Sequence, residues 1–170
     1  MLLAFVLAVS MFPQIAIVSP LYLLLRTLGL INTYPGLVLP YLTFAMPLTI
    51  WLLTGFFRQL PAALEEAGMI DGAGWTRILR DIVLPLSWPG VATTAILTFL
   101  YSWNEFLFAL VLSGPDTQTL PVGLAGLETH AGVEIAPLAA ATVVSLLPVF
   151  LLLPFLRKHL IKGLSLGALK

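Results

Sequence analysis

Residues 61–89 read PAALEEAGMIDGAGWTRILRDIVLPLSWP, a charged and glycine-punctuated island between long apolar runs. Residues 58–87 hold Arg58, Glu65, Glu66, Asp71, Arg77, Arg80 and Asp81, seven of the chain's 8 basic and 8 acidic residues. That density keeps the stretch out of a bilayer, since one Asp, Lys or Arg at mid-membrane costs about 2.5–3.5 kcal/mol. Pro61 suits the first turn of a helix, and the Ala-rich segment behind it predicts a short helix over 61–70 with Glu65 and Glu66 exposed. Asp71 and Gly72 form a turn signal, because Gly tolerates positive φ and Asp bonds neighbouring backbone. A second short helix is expected over 75–83, stopping before Pro85. Gly68 inside the first helix is expected to weaken it by about 1 kcal/mol relative to Ala.

Working outward, the composition is that of a membrane protein. The chain has 170 residues, 59% hydrophobic and 9% charged, against about 25% charged in soluble domains. Zero net charge leaves no nucleic-acid footprint, and the absence of cysteine removes disulfides, thiolate catalysis and Cys-ligated metal. Four apolar runs, about 1–25, 37–57, 88–112 and 135–156, each reach the roughly 20 residues that span a bilayer core. Pro13 and Pro20 are expected to kink the first run, while Pro40 and Pro47 lie in the second and Pro137, Pro148 and Pro154 in the fourth. Residues 113–134 read as a loop with a short helix near 120–128. The fold class is all-α and polytopic, one transmembrane domain over 1–170 with four predicted spans and the island as a helix-turn-helix.

The basic residues set the orientation. Arg58, Arg77, Arg80, Arg157, Lys158, Lys162 and Lys170 share one side of a four-span layout, and Arg26 alone falls opposite. Both termini and the island are therefore expected in the cytoplasm.

Three features of the island resemble the EAA loop of permease subunits of binding-protein-dependent ABC importers: Glu65-Glu66-Ala67, then Ile70-Asp71-Gly72-Ala73, then Ile82-Val83-Leu84-Pro85. The departure is Glu66, where the family's usual form has Ala. Leu30-Ile31-Asn32-Thr33-Tyr34, Trp103-Asn104-Glu105-Phe106, Lys162-Gly163-Leu164 and Gly167-Ala168 resemble the sugar-importer branch, the maltose-type subunits. The resemblance implies a cytoplasmic coupling helix in which Glu65, Glu66, Ala67, Asp71, Gly72 and Ala73 contact an ATPase. It also implies a second permease subunit, an ATPase subunit dimer and an extracytoplasmic sugar-binding protein as partners, in contact with membrane lipid of a bacterial or archaeal plasma membrane. Such subunits usually have six spans, so the chain reads as N-terminally short or as an unusually small subunit. An ordinary amphipathic loop, an ABC permease for a non-sugar solute and a secondary transporter or assembly subunit without an ATPase are the alternatives.

No phosphate-cradling or nucleophile-elbow motif is present, and His130 and His159 lack metal-ligand spacing. The chain is expected not to be an enzyme or to carry a cofactor, with ATP and Mg bound by the partner ATPase. For the solute path the candidates are Thr94, Thr98, Tyr101, Trp103, Asn104 and Glu105. On a continuous helix Thr94, Thr98, Tyr101 and Glu105 fall within an arc of about 60°, and Glu105 lies about 26 Å from Trp88 along the axis. Glu105 either lines a sugar path or bonds a neighbouring helix.

The orientation predicts that residues 113–134 are open to an impermeant thiol reagent in intact cells and that Arg77 and Lys162 are closed to it. Single cysteines at Thr117, Arg77 and Lys162 report this in a cysteine-free background; labelling at Arg77 or Lys162 without Thr117 inverts the topology.

Overall fold

The computed structural model describes residues 12–129, 132–133 and 135–167. The half of the first predicted span before Phe12 lies outside the described residues, as do His130, Glu134 and Lys170. Helix α1 is Gln14–Thr27, with Pro13 at its N-cap rather than within it and Pro20 inside. Helix α2, Tyr34–Phe57, starts at Thr33, whose hydroxyl accepts from Gly36 N at 3.2 Å and donates to Leu30 O at 2.7 Å. Leu30 O lies against Gly36 so closely that no Cβ fits there, and Pro40 and Pro47 sit within the helix.

Helix α3, Ala62–Ile70, matches the first predicted half of the island. The second half differs. Helix α4 runs unbroken as Trp75–Trp103, with a π turn at Leu79–Val83 and Pro85 and Pro89 inside it. The expected stop before Pro85 is therefore overturned. A proline ring ordinarily clashes with the carbonyl four residues back, here that of Asp81; the π turn widens the ladder at that place and lets the helix continue. α4 packs along α2, where Phe56 lies against Gly90 so closely that any side chain at Gly90 would displace it. Thr49 and Thr98 share a hydrogen bond of 2.8 Å across the same contact.

The third predicted span is also corrected. α4 ends at Trp103, and α5, Leu107–Leu112, begins after a break at Asn104–Phe106. Glu105 makes the break: Oε1 accepts from Phe108 N at 2.8 Å and Oε2 from Ala109 N at 3.0 Å. Its carboxylate thus satisfies two of the amides that a helix start leaves unpaired. Behind the break sits the core, where Val18 and Leu25 of α1, Leu37 of α2 and Phe108, Ala109 and Leu112 of α5 meet. Phe44 stacks on Phe108 with centroids 4.8 Å apart.

Asn32 ties the α1–α2 turn to the loop after α5. Held at φ 58, it bonds Leu112 O through its own amide at 3.0 Å. Its side chain donates to Asp116 Oδ2 at 2.8 Å and accepts from Thr117 Oγ1 at 3.0 Å and Asp116 N at 3.2 Å. Thr117 is consequently only 6% exposed, so the exposed neighbour Gln118 replaces it as the labelling site for the loop.

Helix α6, Leu120–Ala125, lies within the short helix expected near 120–128. A two-residue antiparallel pair follows, β1 Glu128–Thr129 and β2 Gly132–Val133. Helix α7 is Ile135–Gly167, so the basic tail continues the fourth span's helix. By length and composition, Tyr34–Phe57, Trp75–Trp103 and Ile135–Arg157 can cross a membrane, while α1 is apolar but shorter.

The Glu105 cap generates a graded prediction. Glu105→Gln keeps one acceptor oxygen for one of the two amides, whereas Glu105→Leu strands both, at about 1–3 kcal/mol for each buried group. Glu105→Leu should therefore lower the thermal unfolding midpoint of the purified protein well below that of Glu105→Gln. Equal midpoints for wild type and the Leu variant would remove the cap from the account.

Candidate functional site

Two sets of chemistry-bearing residues lie along α4, one beside its first turn and one at its last. At the first, α3 closes on a Schellman turn: Ala73 N donates to Gly68 O at 3.0 Å and Gly72 N to Met69 O at 3.0 Å. This turn needs a left-handed residue after the helix, and Gly72 supplies it at φ 74. Glu66, Ala67, Asp71 and Gly72 are exposed, and Glu65 and Ala73 are half-buried. Around the turn stand uncovered apolar side chains, Ile70 at 86% and Trp75 at 69% exposure. The turn thus carries an apolar tip beside a carboxylate-bearing face. Arg77 and Arg80 pair with Asp81 at 3.5 and 3.0 Å, in water, where such pairs contribute little.

At the other end lies an open cleft of about 730 Å³ whose polar lining is Gln14, Tyr101, Asn104 and Glu105, set among Leu48, Leu97 and Leu107. Gln14 Nε2 donates to the Tyr101 hydroxyl at 2.9 Å. Asn104 Nδ2 donates to Leu100 O at 2.7 Å. Tyr101 keeps its own O–H and Asn104 its amide oxygen, so the cleft retains both donor and acceptor capacity. The Tyr41 hydroxyl is buried without a hydrogen-bond partner. A second groove of about 780 Å³ between α1 and α2 is larger, but Thr43 is the one hydroxyl among its Leu, Ile, Phe and Pro lining. It offers little for a hydroxylated solute to bond.

The six predicted path residues therefore separate. Tyr101, Asn104 and Glu105 share the cleft. Thr98 bonds Thr49 on α2, and Trp103 stacks on Phe99 and donates to Ser145 O of α7 at 3.2 Å. Thr94 is 2% exposed. The shared face expected for Thr94, Thr98, Tyr101 and Glu105 fails because Glu105 lies past the end of the helix. Sequence reasoning missed Gln14, which sits on a different apolar run and whose only signal was being the one amide in 1–25. Among the described residues no group of three His, Asp or Glu side chains could hold a metal ion.

Comparison with known proteins places the chain in a family. The family described as "Binding-protein-dependent transport system inner membrane component" matches residues 1–166. The chain is 42% identical over 168 residues to the trehalose/maltose transport system permease protein MalG of Thermococcus litoralis, covering 98% of this chain and 60% of that protein. It is 38% identical over 173 residues to the trehalose transport system permease protein SugB of Mycobacterium tuberculosis, 100% of this chain and 63% of that protein. It is 37% identical over 162 residues to the diacetylchitobiose uptake system permease protein NgcG of Streptomyces coelicolor, 94% of this chain and 54% of that protein. The chain thus spans under two thirds of the length of these relatives, all of them named as permease proteins. It belongs to the family of binding-protein-dependent transport system inner membrane components.

Proposed function

We propose that the chain is a permease subunit of an ATP-driven carbohydrate importer, in which α4 joins an ATPase-docking knob to the solute path. The observation that carries this reading is the placement of the two candidate sites along one helix. The knob around Gly72 flanks the start of Trp75–Trp103, and Tyr101 and Asn104 stand at its end. The uncovered Ile70 and Trp75 give the knob an apolar anchor of the kind that fills a partner's groove. Glu65, Glu66, Ala67, Asp71, Gly72 and Ala73 form its contact surface. In the cleft, Gln14, Tyr101, Asn104 and Glu105 supply hydroxyl-bonding groups on an apolar wall, which suits sugars. The trehalose, maltose and diacetylchitobiose in the relatives' names support that solute class.

In this reading the subunit works with a second permease subunit, an ATPase dimer that binds ATP and Mg, and an extracytoplasmic sugar-binding protein. Both termini and the knob face the cytoplasm. Closure of the ATPases moves the knob and rocks the helices between inward-facing and outward-facing states. An ABC permease for another solute shares the knob, so transport across a panel of di- and oligosaccharides, amino acids and phosphate distinguishes the two. A secondary transporter would co-purify with no ATPase.

Gly72 offers the direct test of the knob. A Cβ there meets nothing of this chain within 4 Å, so within the subunit a substitution acts through backbone strain, about 1–2 kcal/mol for an ordinary residue in the left-handed region. Gly72→Val should therefore reduce ATPase co-purification and transport while membrane insertion persists. Gly72→Asn, which tolerates that conformation, should lose less. Transport at the wild-type rate with Gly72→Val would refute the turn's role.

A further inference from the structure

We infer that Gly68 is a positioning residue: it forms a notch that locks α3 onto the first turns of α4, so that knob and span move as one body. The inference rests on the reading of α3 as the ATPase-docking element. Gly68 is buried in the last turn of α3, although glycine within a helix costs about 1 kcal/mol against Ala in propensity. The reason for its placement is steric. A Cβ at Gly68 would stand 2.9 Å from Ile82 Cδ1 and 3.1 Å from Ile78 Cγ1. Ile78 is 2% exposed and β-branched, hence stiff, while Ile82 lies in the π turn. α3 packs chiefly on Trp75–Ile78 and that π turn. The Schellman turn fixes the other side of the same junction through Ala73 N and Gly68 O. Gly68 therefore holds two positions at once, the packing notch by its missing side chain and the turn by its carbonyl. A push on α3 enters α4 at Ile78 and Ile82 and travels along a continuous helix to Asn104.

The substitution series separates notch from propensity. Ala and Leu both form helix better than Gly, so if Gly68 were merely a weak point both variants would strengthen α3 and leave coupling intact. With a notch, the terminal methyl of Ile82 can turn aside for Ala but not for Leu. Spin labels on single cysteines at Ala63 and Leu86, both exposed, measure the spacing of α3 and α4 in the whole transporter with cysteine-free partner chains. Helix axes stand about 8–10 Å apart according to the side chains between them, so Gly68→Leu should move the label distance by about 2 Å. Transport per ATP hydrolysed should fall several-fold with ATPase still bound, and Ile82→Ala in the same chain should restore both readouts.

Should Gly68→Leu fail to insert, Ile82→Phe presses the same notch from the opposite side and should give the same shift. An unchanged distance and unchanged coupling in Gly68→Leu would overturn the inference. So would a loss of coupling that Ile82→Ala leaves uncorrected. If no ATPase co-purifies with the wild-type chain, the docking reading fails, and the label distance alone then decides whether the notch exists.

Discussion

In hydrocarbon a backbone amide finds no water, so each N–H and C=O must be satisfied within the protein. The 13 prolines of this chain press on that constraint, and much of the architecture answers it. Hydroxyls turn back onto their own helices: Thr43 onto Leu39 O, Thr49 onto Ala45 O, Thr54 onto Ile50 O, Ser87 onto Val83 O and Thr93 onto Pro89 O. Such back-bonding satisfies the hydroxyl within its own helix, on the carbonyl that already accepts from the same residue's amide. In α4 the π turn precedes Pro85, so the helix absorbs the proline without breaking. Where the run breaks, at Asn104–Phe106, Glu105 takes up the unpaired amides at the start of α5.

The same constraint gives the cleft its chemistry. A break in a membrane helix is tolerated where the freed backbone is satisfied by side chains or lines a cavity. Here both conditions meet, because Glu105 caps α5 while Tyr101 and Asn104 border the open space. Glu105 is then first a structural group and second a lining group. Its two roles are compatible, since the carboxylate has about four lone-pair sites and the two amides use two of them.

Much of this was legible in the sequence. The charged island, the helix over Ala62–Ile70 and the left-handed Gly72 followed from Pro, Ala, Asp and Gly at meaningful positions. Polarity marked the cleft residues Tyr101, Asn104 and Glu105. What escaped was of two kinds. Continuous apolarity reads as one span, so the break in 88–112, which holds Pro89 and Gly90 but neither at the break, was invisible; the spacing of Glu105 to the amides of Phe108 and Ala109 was its one trace. Tertiary contacts escaped as well. Gly68 read as a helix weakener until Ile78 and Ile82 were seen against it, and Pro85 read as a stop because a π turn leaves no sequence period of its own.

In the proposed mechanism α4 acts as a rod between knob and cleft, with its π turn a fixed accommodation of Pro85 rather than a joint. Spin labels at Thr76 and Ala95, both exposed on α4, span nineteen residues, about 28 Å at 1.5 Å per residue. The distance can be measured in the complete transporter without nucleotide and with ATP trapped. A single narrow distribution near that length in both states, while the distance from Thr76 to a label at Trp51 on α2 changes, is the expected result. A Thr76–Ala95 distance that shifts or splits between the two states would show that α4 bends at Leu79–Val83, and would contradict the account.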